Sequence, residues 1–288
     1  MSQDASELNA KRLGEAVAKT GLPLELQAIE ICESAGWKVT HSPQYLSFDP
    51  AQDADVEREG DVLAHHYEWA TKDDPVFFTA GEIWIECKDN RSHWWVFFNL
   101  SGTTLPLYRF LSTPLVDDLE TMALRGGPLS DIFDSDAFPQ PVRTVASRTI
   151  GRNYETVKNR DRDPIYDAIQ QTRAQLEASR RRPRYGTLLN SPPTLSIHAG
   201  VLFVSNPPIV ARRDSSQDNG FAFEATDWLI HSSGASLLHV VTPDGLRQFL
   251  ELVDSYLGWC RSDKGNAMIR TAVRTAANRD GLQGRLMA

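Results

Sequence analysis

Glu82-Ile83-Trp84-Ile85-Glu86-Cys87-Lys88 alternates as a β-strand does. Successive side chains of a strand point to opposite faces, so Ile83, Ile85 and Cys87 share one face and Trp84, Glu86 and Lys88 the other. A carboxylate and an ammonium two residues apart on one face lie side by side. Trp84 on that face implies that it is at least partly covered, while Glu82 shares it but lies too far along the strand to join the pair. Upstream, Arg58-Glu59-Gly60-Asp61-Val62-Leu63-Ala64 leads into a second strand. If that strand pairs beside the first, two carboxylates and one lysine converge, a grouping suited to a hard divalent cation that prefers oxygen ligands. Glu59 shares a face with Asp61 and stands as a rival or auxiliary ligand. A Glu-x-Lys pair by itself is as a rule a surface ion pair of little consequence, so the weight rests on its companions.

Working outward, Thr20-Gly21-Leu22-Pro23 starts a helix that runs to Ala35 and stops at Gly36, with Pro in the first turn. Leu26, Ile29 and Cys32 form its apolar side. Glu25 aligns with Ile29 and Cys32 and flanks that side, which makes it a candidate site residue; the alternative is a carboxylate complementing the helix dipole. Strands are expected at Trp37–Thr40, Asp61–Tyr67, Ile83–Lys88 and Trp94–Phe98, with a polar, acidic loop over 49–57. The first half therefore reads as an antiparallel meander beside a helix. Asp163-Pro164 opens a second helix with Ile165, Ala168, Ile169, Thr172 and Leu176 inward. Strands follow at Leu195–Val204, Phe221–Ile230 and Leu237–Val241. Thr242-Pro243-Asp244 then caps a last helix reaching Leu257. The expected organisation is a polar lead-in over 1–19, one domain over 20–265 with an irregular insertion or long connections at 112–160, and a basic tail over 266–288.

The chain of 288 residues is long enough for one large core or two small ones. The three cysteines are widely spaced, which argues against a disulfide framework or a Cys-based zinc site. The opening Met1–Glu7 is polar and acidic, unlike a secretory or transit signal. No apolar run approaches the roughly 20 residues that span a bilayer. A cytoplasmic protein with no membrane partner is the expectation. The net charge of −8 disfavours non-specific coating of nucleic acid, yet the charge is uneven. Residues 49–89 are acidic, whereas Arg180, Arg181, Arg182 and Arg184 form a basic cluster that suits phosphates or, alternatively, a helix C-terminus. No phosphate-binding Gly-Lys loop, dinucleotide fingerprint or nucleophile elbow is present.

The order of a helix with Glu25, a strand with Asp61, a strand with Glu86-Cys87-Lys88 and a later helix with Gln170 and Gln171 resembles the restriction-endonuclease-like superfamily, the nucleases of the PD-(D/E)xK motif. Residues 20–100 carry the resemblance. One departure is that Gly60, not Pro, precedes Asp61. The resemblance implies an α/β fold with a mixed central β-sheet flanked by α-helices, and a metal-dependent nuclease acting on DNA before RNA, in restriction or phage defense. It implies Mg²⁺, with Mn²⁺ as substitute, held by Asp61, Glu86 and the backbone carbonyl of Cys87. Lys88 would orient or deprotonate the attacking water, and Glu25 would position a second metal or its waters. Gln170 and the Arg180–Arg184 cluster would contact nucleic acid, with a homodimer or partner protein supplying further grip. The competing expectations are a catalytically silent module that keeps the fold for recognition, and a hydrolase of a small phosphorylated molecule.

Overall fold

A computed structural model describes residues 20–49, 51–69, 78–91, 94–99, 150–151, 153–156, 164–181, 194–218, 220–233 and 236–267, together with Arg12 and Val17. The elements in chain order are α1 (Leu22–Ser34), β1 (Lys38–His41), β2 (Gln44–Asp49), β3 (Ala54–Glu59), β4 (Val62–Trp69), β5 (Phe78–Lys88) and β6 (Trp95–Asn99). There follow β7 (Ile150–Gly151), β8 (Asn153–Thr156), α2 (Pro164–Arg181), β9 (Thr194–Val204), β10 (Ile209–Arg213), β11 (Phe221–Ala225), β12 (Trp228–Ser233), β13 (Ser236–Val241) and α3 (Pro243–Arg261).

The main sheet is mixed, in the order β1-β4-β5-β9-β13-β12-β7. Strands β1, β4 and β5 are antiparallel neighbours, and β9 then joins β5 in parallel. The alternation read from Glu82–Lys88 decides which helices cover which face. Ile83, Ile85 and Cys87 pack with Val201 and Phe203 of β9 against α1 and α3, through Leu24, Ala28, Ile31, Phe249, Val253 and Leu257. The opposite face receives α2, whose Ile165, Ala168 and Ile169 meet Leu202, Val204, Leu238 and Val240. A second sheet, β11-β10-β6-β8, closes that side with Trp95, Phe97 and Val210. Each such side chain taken out of water contributes about 1.5–3 kcal/mol, so the layered core, with sheet between helices, fixes the orientation of β5. Among the described residues no helix is long and apolar enough to cross a membrane.

The last helix follows its sequence signals closely. Thr242 is extended at the N-cap, its hydroxyl accepts from the Gly245 N–H at 3.3 Å, and it donates to Asp227 Oδ1 at 2.8 Å. Thr242→Ala removes the cap and is expected to cost about 1 kcal/mol, read as a lower midpoint in chemical denaturation.

Four expectations are corrected. The acidic stretch 49–57 belongs to a hairpin in which β2 and β3 pair from Gln44 opposite Glu59 to Asp49 opposite Ala54. Its turn is made by Asp53 at φ 49°, a left-handed conformation that Asp tolerates. Asp61 lies in the step before β4 and not inside a strand. The segment Phe221–Ile230 is two strands, β11 and β12, and β10 was not foreseen after the prolines at 207 and 208. Leu26 is exposed, because the buried side of α1 is Leu24, Ala28, Ile31 and Cys32. Gly36 does end this helix region, with φ 84°. Residues 112–149 of the expected insertion, the tail beyond 267 and nearly all of the lead-in lie outside the described residues.

Candidate active site

The register brings the motif together. Val62 stands opposite Ile85, so one further step along the antiparallel pair sets Asp61 beside Glu86. His41 at the end of β1 is opposite Val62, which puts the first turn of α1 at the same end of the sheet. That end is also the carboxyl end of the parallel pair β5 and β9, where Lys88 faces Val204.

Asp61 Oδ2 accepts the Cys87 N–H at 2.7 Å. Within one extended residue the N–H and C=O point to the same side of the strand, so the Cys87 carbonyl also lies on the Asp61 side, while its thiol is buried in the α1–α3 core. Lys88 Nζ donates to Glu86 Oε1 in a short ion pair. Gln175 Nε2 of α2 donates to Glu86 Oε2 at 2.8 Å. The Glu86 side chain is wholly buried and that of Lys88 is 32% exposed. Glu25 is half-buried beside the cluster, paired with His41 at 2.8 Å.

The electrostatics follow from this burial. Glu86 is pushed up to about 7, first by desolvation and then by the neighbouring Asp61 charge, against the pull of Lys88. Asp61 is also raised by burial, partly offset by the Cys87 N–H and by Lys88. Lys88 is raised, because Glu86 and Asp61 outweigh its own desolvation. The two members of the pair thus pull in opposite senses. Burial dominates at Glu86 because no solvent reaches its oxygens, whereas Lys88 keeps partial access to water and stays protonated.

Among the described residues no three His, Cys, Asp or Glu side chains form a metal-holding group. The oxygen donors that converge are two carboxylates and one carbonyl, the donor chemistry of a hard cation that retains part of its water shell. An orphan atom adds to the fit: Gln175 Oε1 is buried without a hydrogen-bond partner. The residues present therefore suit Mg²⁺ or Mn²⁺.

The glutamine of α2 that bonds to a site carboxylate is Gln175, on Glu86. Gln170 and Gln171 instead line a cleft of about 810 Å³ between α2 and the β2–β3 hairpin. Gln175 had a legible signal: with Ala168, Thr172, Leu176 and Ser179 it falls on the buried stripe of α2, where an amide needs a polar partner. Room for it comes from Gly60, since a Cβ there would lie 2.9 Å from Gln175 Nε2. Glu59 sits at the end of β3 and is bonded by Gln44 at 3.3 Å, away from Asp61. Because Gln175 meets Glu86 and Ser179 meets Glu82, α2 runs antiparallel to β5 and its last turn heads away from Lys88. The side chains of Arg180 and Arg181, and all of Arg182 and Arg184, lie outside the described residues.

A second polar cluster, one turn further along α2, also escaped the sequence reading. Glu82 Oε2 accepts from Ser179 Oγ at 2.6 Å and meets His198 Nδ1 at 3.2 Å, while Tyr67 donates to Glu82 Oε1 at 2.9 Å. Glu82 is held at about 2 by these bonds and by the His198 ring in spite of burial. Ser179 Oγ meets the same His198 nitrogen at 2.6 Å. A nucleophilic relay requires serine and carboxylate on opposite ring nitrogens, so this cluster fastens α2 to the sheet and is no triad. No protein family, curated protein or solved structure matches this chain.

Proposed function

We propose that the chain is a metal-dependent nuclease hydrolysing phosphodiester bonds, with DNA as substrate and Mg²⁺ or Mn²⁺ as cofactor. The observation that carries this is the convergence of Asp61, Glu86 and Lys88 at one end of the sheet, with Glu86 fully buried. A buried, hydrogen-bonded carboxylate whose proton is held up to about 7 is costly to keep, and a divalent cation would relieve that cost. Asp61, Glu86 and the Cys87 carbonyl would hold the ion, which when bound polarises a phosphoryl oxygen and makes water a better nucleophile at neutral pH. Lys88 is held protonated beside Glu86, which supports the charge-stabilising role at the phosphate over the role of base. Gln175 orients Glu86 through Oε2, and Cys87 N–H orients Asp61. Glu25, tied to His41, adds negative potential near Asp61 that would favour a cation or its waters.

The contacts that Lys88 and Gln175 make to the two oxygens of Glu86 also favour a second reading, a silent module in which the pair is structural. Incubating the protein with plasmid, linear DNA and RNA in Mg²⁺, Mn²⁺ or EDTA, alongside Glu86→Ala and Lys88→Ala, separates the two. Cutting that needs metal and is lost in both variants is the expected result. Equal cutting by the variants would remove these residues from the site, and binding without cutting would favour the silent module.

A further inference from the structure

We propose that the cleft between α2 and the β2–β3 hairpin receives unpaired bases of the substrate strand, making single-stranded or locally opened DNA the preferred substrate class. This rests on the nuclease reading and deepens it. The hairpin turns Tyr45, Ser47 and Arg58 toward α2, since Tyr45 is opposite Arg58 in the register and strand faces alternate. The helix answers with Tyr166, Gln170 and Gln171. The cleft is separated from the carboxylate site by one layer of packed side chains, its inner wall. Tyr45 packs edge-on against Trp84 at 5.6 Å, and Trp84 sits on β5 two residues before Glu86. Ala178, which also lines the cleft, belongs to the same buried cluster.

The lining chemistry decides which part of a nucleotide belongs there. Two guanidiniums, Arg58 and Arg173, face three carboxylates, Glu59, Asp167 and Glu177. That balance gives no attraction for a run of phosphates. It does suit base edges, which offer donors and acceptors to amides, hydroxyls and carboxylates alike. Tyr166 is 51% exposed and lines the cleft, where an aromatic ring is a surface on which a base can stack. The volume of about 810 Å³ fits a small ligand and not a duplex, whose bases are also unavailable until they leave the stack.

The test is binding of labelled oligonucleotides with Ca²⁺ replacing Mg²⁺: an intact single strand, an abasic single strand of equal length, and the duplex. The intact strand is expected to bind roughly tenfold more tightly than the other two. Tyr166→Ala is expected to bring it down to the abasic level, and Tyr166→Phe to preserve it. Equal affinity for intact and abasic strands, or for single strand and duplex, would overturn the proposal, as would an unaffected Tyr166→Ala. These outcomes are independent of turnover. A protein that prefers bases yet never cuts in Mg²⁺ keeps the cleft and loses the nuclease reading, and one that cuts duplex with no base preference does the reverse.

Discussion

Glu86→Gln is expected to reduce metal-dependent cutting by at least about a hundredfold, the scale on which one preorganised charge acts, and yet to make the protein more stable at pH 8. The sign comes from the direction of the shift. Glu86 is raised from 4.5 to about 7 in the folded chain, so folding favours its protonated form. Its contribution to stability is fully present below pH 4.5 and is lost as pH rises through about 7. At pH 8 the wild-type chain buries an ionised carboxylate, at a cost whose upper bound is roughly 3 kcal/mol from the size of that shift. Glutamine occupies the same volume without the charge. It leaves the partly exposed Lys88 unpaired, which offsets part of the gain, so about 1–2 kcal/mol should remain. Thermal denaturation of both proteins from pH 5 to pH 8.5 checks this: the variant's advantage should grow through pH 7 and vanish near pH 5. Mg²⁺ should then stabilise the wild-type chain at pH 8, by about 2.7 kcal/mol at a hundredfold excess over its Kd, and leave Glu86→Gln unmoved. A wild-type chain that is already the more stable at pH 8 without metal would mean that the Lys88 pair outweighs the burial.

What was legible in the sequence was local. The alternation of Glu82–Lys88 assigned both faces of β5 correctly because one face meets α1 and α3 and the other meets α2, so each register position has a buried destination. The cap of α3 was legible for the same reason, since Thr242, Pro243 and Gly245 settle it among themselves. The proximity of Asp61, Glu86 and Lys88 was legible because it follows from register. The parts that were not legible depend on partners far along the chain. The hydrogen bond from Gln175 to Glu86 spans 89 positions, and nothing near Gln175 separates it from Gln170 and Gln171 except its helical phase. The β2–β3 hairpin was obscured by composition: the outward residues of β3, Asp55, Glu57 and Glu59, are all acidic, and the inward Tyr45 finds cover on Leu63, Trp84 and Ala178. An acidic ribbon lying on a helix reads as a loop until that helix is in place.

Gly60→Pro is the second substitution with a large expected effect, and it concerns the one position where the chain departs from the motif it resembles. Proline before Asp61 would meet two obstacles. The Gly60 N–H donates to the Pro43 carbonyl at 2.9 Å, a bond that closes the base of the hairpin beside the reciprocal link from Ser42 N–H to the Asp61 carbonyl. Proline has no N–H to give, and a buried carbonyl left without its donor costs about 1–3 kcal/mol. Any Cβ at this position would also lie 2.9 Å from Gln175 Nε2 and 3.3 Å from Trp84 Cζ3. The amide of Gln175 is buried and already committed to Glu86, so making room for the new atom pulls it off the carboxylate, at a typical overpacking cost of about 1–3 kcal/mol. Gly60→Ala meets the second obstacle alone and should lose about 1–3 kcal/mol, whereas Gly60→Pro should lose about 3–5 kcal/mol. Chemical denaturation measures the difference between them, which isolates the hydrogen bond to Pro43. The paired variant Gly60→Ala with Gln175→Ala discriminates the cause. If the clash with Gln175 is what matters, the double variant loses less than the sum of the two singles, and strict additivity would show that Gly60 is needed for some other reason. The glycine is therefore coupled to the glutamine: the small residue before Asp61 makes space for an amide from α2 to hold Glu86, and a proline there would require that contact to be made by a different side chain.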